Sequence, residues 1–342
     1  AMLIKRLPNY EPKAGTDVPH RLETCAHNGR TGPTEAECEM YYQHRPVTTG
    51  IDSEWTTNGF QKVTFSKAGT VRITGGGGQG GYGQGLVTNK PGGKGASASG
   101  TFKVKKDQVL TVVVGQAGWS RGKGYGGQSS FGGGGGGGTF VWDEDDTLWL
   151  AAGGGGGSSY TSMSVNYFGD SGRGTERGGS ACPSGGLGGN GGAGGVHGGS
   201  SQAGGGGAGW KSKGVASGSY EHMNGGSQRE AFLGGQAYST GFFEGGFGGG
   251  GGTGHEGGGG GGYSGGGGGQ HGKGSGGGGG SYVSGGAGLT IAAGNHGVDG
   301  FASFEWTELE NEGGASADKQ LTFTSCKRSG RVGPDINDCR DL

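Results

Sequence analysis

The chain has 342 residues, of which 99 are glycine and 8 are proline, and so high a share without a strict tripeptide period is typical of disorder. Its 13 Phe, 11 Tyr and 6 Trp argue against disorder, because disordered chains are poor in aromatic residues. A formal net charge of −1 gives no electrostatic reason to expect a nucleic acid or an anionic membrane as partner, and no apolar stretch approaches the roughly 20 residues that span a bilayer.

A repeated cysteine segment is the sharpest local signal. After a predicted N-terminal extension (residues 1–21), residues 24–38 read TCAHNGRTGPTEAEC, and residues 325–339 read SCKRSGRVGPDINDC. At one constant offset, Cys25, Gly29, Arg30, Gly32, Pro33 and Cys38 recur as Cys326, Gly330, Arg331, Gly333, Pro334 and Cys339. An upstream apolar residue recurs as well, since Leu22 corresponds to Phe323. We therefore predict two copies of one module, at residues 22–50 and 321–342.

The cysteine pairs predict disulfides, Cys25 with Cys38 and Cys326 with Cys339, each closing a loop around Gly-x-x-Gly-Pro. Closing such a loop contributes on the order of 3 kcal/mol. Zinc is the competing interpretation, but a spacing of thirteen with no CxxC or HxxxH partner argues against it. Disulfides imply an extracellular or secretory compartment. Cys182 is left over, either as a free buried thiol, which we favour, or as a bridge to another chain.

We predict that residues 51–152 contain the strands of a β-sandwich and the first glycine-rich insertions. The alternation of polar and apolar residues in 59–74 predicts a hairpin that turns at Lys67 and points its apolar residues inward. The same pattern in 102–114 predicts a second hairpin that turns at Lys106 and Asp107. Residues 139–152 read as a third, around the acidic run at 143–146. This run lacks the spacing of a calcium loop, so we interpret it as a solvated turn. Short strands with polar turns favour an antiparallel jelly-roll sandwich.

Glycine dominates residues 153–288. Order there has to come from backbone groups that pair with neighbouring segments, because unpaired buried amides are costly. An extended helix with three residues per turn suits this, since its amides and carbonyls point outward, and we predict a bundle of polyglycine II helices. Residues 289–306 are predicted to hold the closing strand (300–306), and residues 307–320 a linker to the second cysteine module.

Taken together, the motifs resemble the extracellular glycine-rich domain of anaplastic lymphoma kinase and leukocyte tyrosine kinase. The resemblance covers about residues 22 to 306 and rests on residues 25–38, 109–116 (VLTVVVGQ), 132–141 (GGGGGGGTFV), 150–157 (LAAGGGGG) and 257–264 (GGGGGGYS). It implies an all-β fold: a tumour-necrosis-factor-like antiparallel sandwich with an inserted polyglycine II bundle. Cys182 resembles a family cysteine, but the later cysteine expected of the family is absent. In the receptors this region binds small helical cytokines together with neighbouring modules. No kinase or epidermal-growth-factor-like module is present in this sequence. We therefore assign none of the receptors' cytokine-binding residues to positions of this chain.

Three functions follow from these patterns. The second cysteine module favours an extracellular structural protein, either one period of a tandem array or a subunit that docks head-to-tail on the next and grows a filament. The residues expected to carry that assembly are Leu321, Phe323, Gly330, Gly333 and Pro334. A ligand-binding receptor or adhesion ectodomain with a protein ligand is the alternative, and an ice-binding surface a distant one.

Catalysis is not expected, because the eight histidines are scattered and the sequence has no HExxH motif and no nucleophile elbow. GxGxxG matches carry no weight in a chain so rich in glycine, and GxxxxGK[ST] is missing. We therefore predict no catalytic residue, no cofactor and no metal site. The absence of Asn-x-Ser/Thr predicts no N-linked sugar.

Overall fold

The structure is a computed structural model that describes residues 19–42, 50–56, 59–84, 89–120, 131–160, 168–200, 202–216, 218–239, 243–285 and 287–309. All of these residues belong to one compact unit, Ala1–Leu309. The second cysteine module lies outside the described residues, and so does most of the predicted N-terminal extension. Within the described part, no helix has the length and apolar character needed to cross a membrane.

Two antiparallel sheets form the frame of the molecule, which confirms the all-β class. The five-stranded sheet has the order β1-β15-β4-β7-β14, with β1 His20–Leu22, β4 Gly69–Gly76, β7 Gly95–Val104, β14 Ala287–His296 and β15 Phe301–Leu309. The six-stranded sheet has the order β13-β10-β9-β8-β3-β2, with β2 Ile51–Trp55, β3 Phe60–Phe65, β8 Val109–Val113, β9 Thr139–Asp143, β10 Leu148–Ala152 and β13 Tyr282–Val283. The helix α1 (Glu35–Tyr42) precedes β2.

Smaller elements are also present among the described residues. Two short antiparallel pairs are β5 Gly83–Gln84 with β6 Asn89–Lys90, and β11 Cys182–Gly185 with β12 Gly269–Ser275. Two short 3₁₀ helices lie at Gly218–Met223 and Gln228–Glu230.

The two main sheets pack face to face on a single apolar core. Val63 and Phe65 of β3 are fully buried, and so are Val71 and Ile73 of β4, as their alternation predicts. The remaining strands of both sheets contribute alternate residues to the same cluster, among them Leu22, Leu110, Leu150 and Phe304. Because the buried residues of both sheets touch, the frame is a β-sandwich.

Two of the three predicted hairpins are wrong. β3 and β4 lie in different sheets, and so do β7 and β8, so the connections at Lys67 and Asp107 cross between the sheets instead of folding one sheet back on itself. A hairpin and a crossing connection bury the same alternate residues, and for that reason alternation cannot tell them apart. The third prediction is confirmed: β9 and β10 pair antiparallel across the turn at Asp143–Asp146.

The closing strand is present and longer than predicted. β15 pairs with β4 on one side and with β1 on the other, and it runs to Leu309, into the predicted linker. β14 was not predicted from the sequence, and it pairs with β7 through an irregular register. Its glycines and alanines do not give the alternation of polar and apolar residues by which the other strands were recognised.

The glycine-rich segments form a second layer that is held together by backbone hydrogen bonds. Residues 77–81 illustrate the pattern, because every third residue bonds the same neighbouring segment. The amides of Gly77 and Gly80 donate to Ala96 and Gly93 on one neighbour, and those of Gly78 and Gly81 donate to Gly137 and Gly134 on another. The same lateral bonding continues through residues 153–157, 204–207 and 257–280. The glycines of these segments are buried, apart from Gly272, although they carry no side chains to bury.

An aromatic cluster joins the glycine layer to the outer face of the six-stranded sheet. Phe140 and Trp142 of β9 face outward there and meet Phe232, Phe247 and Trp210 from the glycine-rich part of the chain. Phe232 is fully buried, with its ring centroid 4.6 Å from that of Phe140. The sandwich therefore anchors the glycine layer through aromatic packing, in addition to the backbone bonds.

Candidate functional site: the docking surface of the cysteine module

The first cysteine module comprises residues 19–42, and we call it the N-terminal module. Cys25 and Cys38 form the predicted disulfide, with a Cα–Cα distance of 4.9 Å, and both residues are buried. The bond joins the loop that follows β1 to the middle of α1. The module is therefore a short strand, a loop and a helix tied together at one point.

The start of α1 is fixed by a reciprocal cap. The hydroxyl of Thr34 accepts the amide of Glu37 at 3.3 Å, and the carboxylate of Glu37 accepts the amide of Thr34 at 2.8 Å. The bond from the Thr34 amide and a 3.0 Å contact with Nδ1 of His27 lower the pKa of Glu37 to about 2. The Thr-x-x-Glu signature of this cap is present in the sequence, and it would have predicted the helix that the sequence analysis missed.

The module closes one side of the sandwich. β1 adds to the edge of β15, placing Leu22 opposite Ala302 and in the core. At the other end of the module, the ring of Tyr42 stacks on Trp55 of β2 with centroids 5.2 Å apart. The module thus supplies the outer strand of the five-stranded sheet and contacts an outer strand of the six-stranded sheet.

Between these two ends, hydrogen bonds attach the residues that follow β1 to the rest of the molecule. The carbonyl of Glu23 accepts a hydrogen bond from Nε2 of Gln61 at 3.0 Å, and the hydroxyl of Thr24 donates to Asp299 at 3.2 Å. The other carboxylate oxygen of Asp299 accepts the amide of Ala117 at 2.7 Å. Asp299 therefore links the module to a glycine-rich segment next to the sandwich.

The loop from Gly29 to Gly32 docks on the glycine layer mainly through its backbone. The carbonyl of Gly29 accepts the amide of Phe247 at 2.9 Å, and the carbonyl of Arg30 accepts the amide of Gly234 at 2.8 Å. In return, Nε of Arg30 donates to the carbonyl of Gly234 at 3.0 Å. Arg30 and Gly234 therefore make a two-point contact across the interface.

Two glycines of this loop lie at constrained points of the backbone. Gly29 has a φ of +124°, a backbone conformation that is unfavourable for residues with a Cβ atom. Gly32 is buried against Gly59, and a Cβ atom at Gly59 would lie 2.5 Å from the Cα of Gly32. The two backbones meet so closely that a side chain at Gly59 would clash with Gly32.

The residues that dock the N-terminal module are the ones that recur near the C-terminus. By sequence, Gly29, Arg30 and Gly32 correspond to Gly330, Arg331 and Gly333. Thr24, whose hydroxyl reaches Asp299, corresponds to Ser325, which keeps the hydroxyl. The strand positions His20 and Leu22 correspond to Leu321 and Phe323. Pro33, which is buried, corresponds to Pro334, and the helix-cap residue Thr34 corresponds to Asp335.

None of the predicted assembly residues can be located in space, because Leu321, Phe323, Gly330, Gly333 and Pro334 lie outside the described residues. The same holds for Cys326 and Cys339, so their disulfide stays a prediction. The structure instead gives the contacts made by their N-terminal counterparts. No family model matches the chain.

Our preference for a buried Cys182 is wrong. The thiol is free and exposed, in the short strand β11. β11 pairs with β12, and the burial pattern of all four of its residues is exposed or half-buried. A cysteine flanked by small residues resembles a core position in sequence, but this strand lies at the surface of the glycine layer.

The acidic turn at Asp143–Asp146 serves the structure of the hairpin. The Asp143 carboxylate accepts the amides of Asp145 and Thr147 at 3.1 and 2.9 Å, and Nε1 of Trp149 at 3.0 Å. Burial raises the pKa of Asp143, but these hydrogen bonds outweigh it and the net pKa is lowered. Among the residues described, no group of three His, Cys, Asp or Glu side chains is placed to hold a metal ion.

Proposed function

We propose that this chain is an extracellular, non-catalytic structural protein, a subunit or repeat unit of a head-to-tail fibre. In this proposal the second cysteine module of one unit takes the place of the N-terminal module of another, and it docks on that unit's sandwich and glycine layer through the corresponding contacts. The single observation that supports it is the recurrence, at residues 330–333, of the residues that make the docking contacts at Gly29, Arg30 and Gly32.

The docking mode suits a joint between units for two reasons. The strand position offers backbone pairing along a sheet edge, which gives a joint affinity and register. The two-point contact of Arg30 with Gly234 ends on backbone groups of the glycine layer. A contact between two different surfaces of one molecule extends into an open filament when its rotation does not close.

We also propose the finer architecture that the sequence analysis expected. Crossing connections between the sheets, at β3 to β4 and β7 to β8, are consistent with a jelly-roll sandwich of the tumour-necrosis-factor type. Lateral bonding that returns to the same neighbour every third residue is the pattern expected of polyglycine II helices. As part of the same proposal, we infer that this architecture is similar to the glycine-rich domain of the two receptor kinases.

Deleting residues 316–342 tests the assembly. We expect negative-stain micrographs of the full chain to contain polymers, and those of the deletion variant to contain dispersed particles with an unchanged near-ultraviolet circular dichroism spectrum. Polymers that persist unaltered after the deletion would contradict the proposal. Capture of a discrete soluble protein by the dispersed chain would favour the alternative of a ligand-binding ectodomain.

Point variants sharpen the test. Arg331→Ala removes the counterpart of the Arg30 side chain, and Gly333→Val puts a side chain where Gly32 meets Gly59 at close range. Both are expected to shorten or abolish polymers without changing the thermal midpoint of the sandwich. Ser329→Ala is the matched control, because its counterpart, Asn28, is exposed and its side chain bonds only the carbonyl of Ala26 within the module. Equal polymer lengths in all three variants would contradict the docking mode.

A further inference from the structure

A cleft lies at the rim of the sandwich, where the chain crosses from β13 of the six-stranded sheet to β14 of the five-stranded sheet. Its volume is about 840 Å³, within the range of roughly 300–1,000 Å³ that small-molecule sites occupy. The crossing residues Ser284 and Gly285 line one side, and the end of β7 from Thr101 to Lys103 lines another. None of the described residues that dock the N-terminal module lines this cleft, so it is separate from the proposed joint between units.

Threonine hydroxyls line the cleft on three neighbouring strands. Thr101 belongs to β7, Thr70 to β4 and Thr307 to β15, and all three are exposed or half-buried. The hydroxyl of Thr307 donates to the carbonyl of Thr70 at 3.1 Å, which leaves its oxygen lone pairs free to accept. Neighbouring strands lie about 4.8 Å apart, so these hydroxyls follow one another across the sheet at a spacing comparable to the repeat of a sugar chain.

Trp149 supplies aromatic surface to the same cleft. Its ring is held by two contacts, because Nε1 donates to Asp143 at 3.0 Å and Phe102 packs against it with ring centroids 5.1 Å apart. The residue is half-buried, so part of the indole surface faces the cleft. An aromatic ring that is already fixed loses little side-chain entropy when a ligand packs on it. The cleft therefore suits a ligand that has both an apolar face and many hydroxyl groups.

The described side chains give the cleft a positive charge. Lys103 is the one ionisable side chain among the described residues that line it, and it is exposed. Next to the cleft, Arg72 and Glu305 lie directly opposite each other in β4 and β15, so their charges offset one another. Lys103 lies directly opposite Thr70 and therefore adds a cation to the row of hydroxyls. A ligand with a carboxylate is favoured over an uncharged analogue of the same shape.

We propose that this cleft binds an acidic oligosaccharide, a glycan that contains a uronic or sialic acid. The carboxylate of the acidic sugar pairs with Lys103, and the ring hydroxyls bond the threonines. The C–H face of one sugar ring packs on Trp149. An acidic peptide would also pair with Lys103, but a peptide that adds to a sheet runs along a strand edge, whereas the hydroxyls of this cleft run across the strands.

An array of acidic and neutral glycans, probed with the full-length chain, tests the proposal. We expect glycans with glucuronic, galacturonic or sialic acid to bind about two- to fivefold more tightly than their neutral counterparts, the contribution of one exposed ion pair. High salt should remove this preference, because it screens exposed charges. Absence of binding to every acidic glycan, or equal binding of acidic and neutral ones, would overturn the proposal. Binding of a polyglutamate peptide without binding of any glycan would also overturn it, in favour of an acidic peptide.

Point variants connect the binding to the cleft. Thr101→Val removes one hydroxyl with little change of shape and should weaken glycan binding about fivefold. Lys103→Gln should remove the preference for acidic glycans and leave the binding of neutral ones unchanged. The matched controls are Thr64→Val, half-buried in β3 of the other sheet, and Lys94→Gln, exposed just before the opposite end of β7. If each variant binds as its control does, the cleft is not the site.

The glycan site and the fibre joint fail independently. Arg331→Ala is expected to remove head-to-tail polymers, and it should leave glycan binding unchanged because its counterpart, Arg30, contacts the glycine layer and not the cleft. Polymers without glycan binding would overturn the site alone, and glycan binding without polymers would overturn the joint alone. An unchanged thermal midpoint in each variant shows that a loss of binding is not a loss of folding.

Discussion

A single added methyl group in the glycine layer is expected to cost as much as a large core truncation. Gly155 lies in the middle of the layer, and a Cβ atom there would lie 1.8 Å from the carbonyl oxygen of Gly93. To reach an ordinary contact, the two segments have to separate by more than about 1 Å, beyond what a hydrogen bond tolerates.

That separation disrupts up to four backbone hydrogen bonds, one between the two segments and three that join them to their other neighbours. The amide of Gly155 donates to Gly78 and its carbonyl accepts from Gly136, while Gly93 accepts from Gly80 and donates to Gly156, all at 2.8–2.9 Å. At about 1 kcal/mol for each bond, Gly155→Ala should lower the free energy of unfolding by about 4 kcal/mol.

Urea denaturation followed by tryptophan fluorescence measures this loss, because Trp142 and Trp210 lie where the glycine layer meets the sandwich. Gly285→Ala is the matched control: a Cβ atom at Gly285 meets no atom within 4 Å, and its φ is not positive. It should leave stability unchanged or raise it by about 0.4–1 kcal/mol by restricting the unfolded chain. If Gly155→Ala and Gly285→Ala unfold at the same urea concentration, close backbone packing is not what holds the layer together.

Three further predictions follow from contacts in the described part of the chain. The double variant Cys25→Ser, Cys38→Ser should lose about 3 kcal/mol in urea denaturation, and a reductant should destabilise the native protein but not the variant. Burial and, less strongly, His222 lower the pKa of His197 to about 4. The unfolded chain then binds the extra proton first, so stability should be full above about pH 6.5 and fall by about 3 kcal/mol as the pH approaches 4; His197→Phe should flatten this part of the pH profile. Phe232→Ala should cost about 3–5 kcal/mol and weaken the near-ultraviolet signal, whereas an unchanged signal would contradict the aromatic anchor.

The sequence was sufficient to predict those features that depend on residues close together in the chain. Alternation identified β3, β4 and β8, because a half-buried strand has to place every second residue inward. The disulfide between Cys25 and Cys38 followed from the repeated cysteine spacing and the glycine and proline residues of the loop between them. The hairpin at Asp143 was predicted correctly because its turn is built from polar residues next to each other in the chain.

The features that the sequence did not predict depend on distant partners. Which sheet a strand joins is decided by its neighbours in space, so the crossings at Lys67 and Asp107 could not be separated from hairpins. β14 was missed because backbone pairing with β7 defines it, and its own side chains bury little. The docking contacts of Gly29 and Arg30 involve Phe247 and Gly234, about two hundred residues along the chain, and sequence repetition indicated their importance without indicating their partners.

A core built from amide groups also has a thermal consequence. Exposing apolar surface on unfolding raises the heat capacity, whereas exposing polar backbone lowers it. The apolar sandwich and the glycine layer therefore contribute to the heat-capacity change with opposite signs. The stability of the molecule should consequently vary less steeply with temperature than that of a sandwich of equal length with a wholly apolar interior. Such a flat stability curve would suit the structural role proposed above, in which the molecule keeps its shape as the temperature of its surroundings changes.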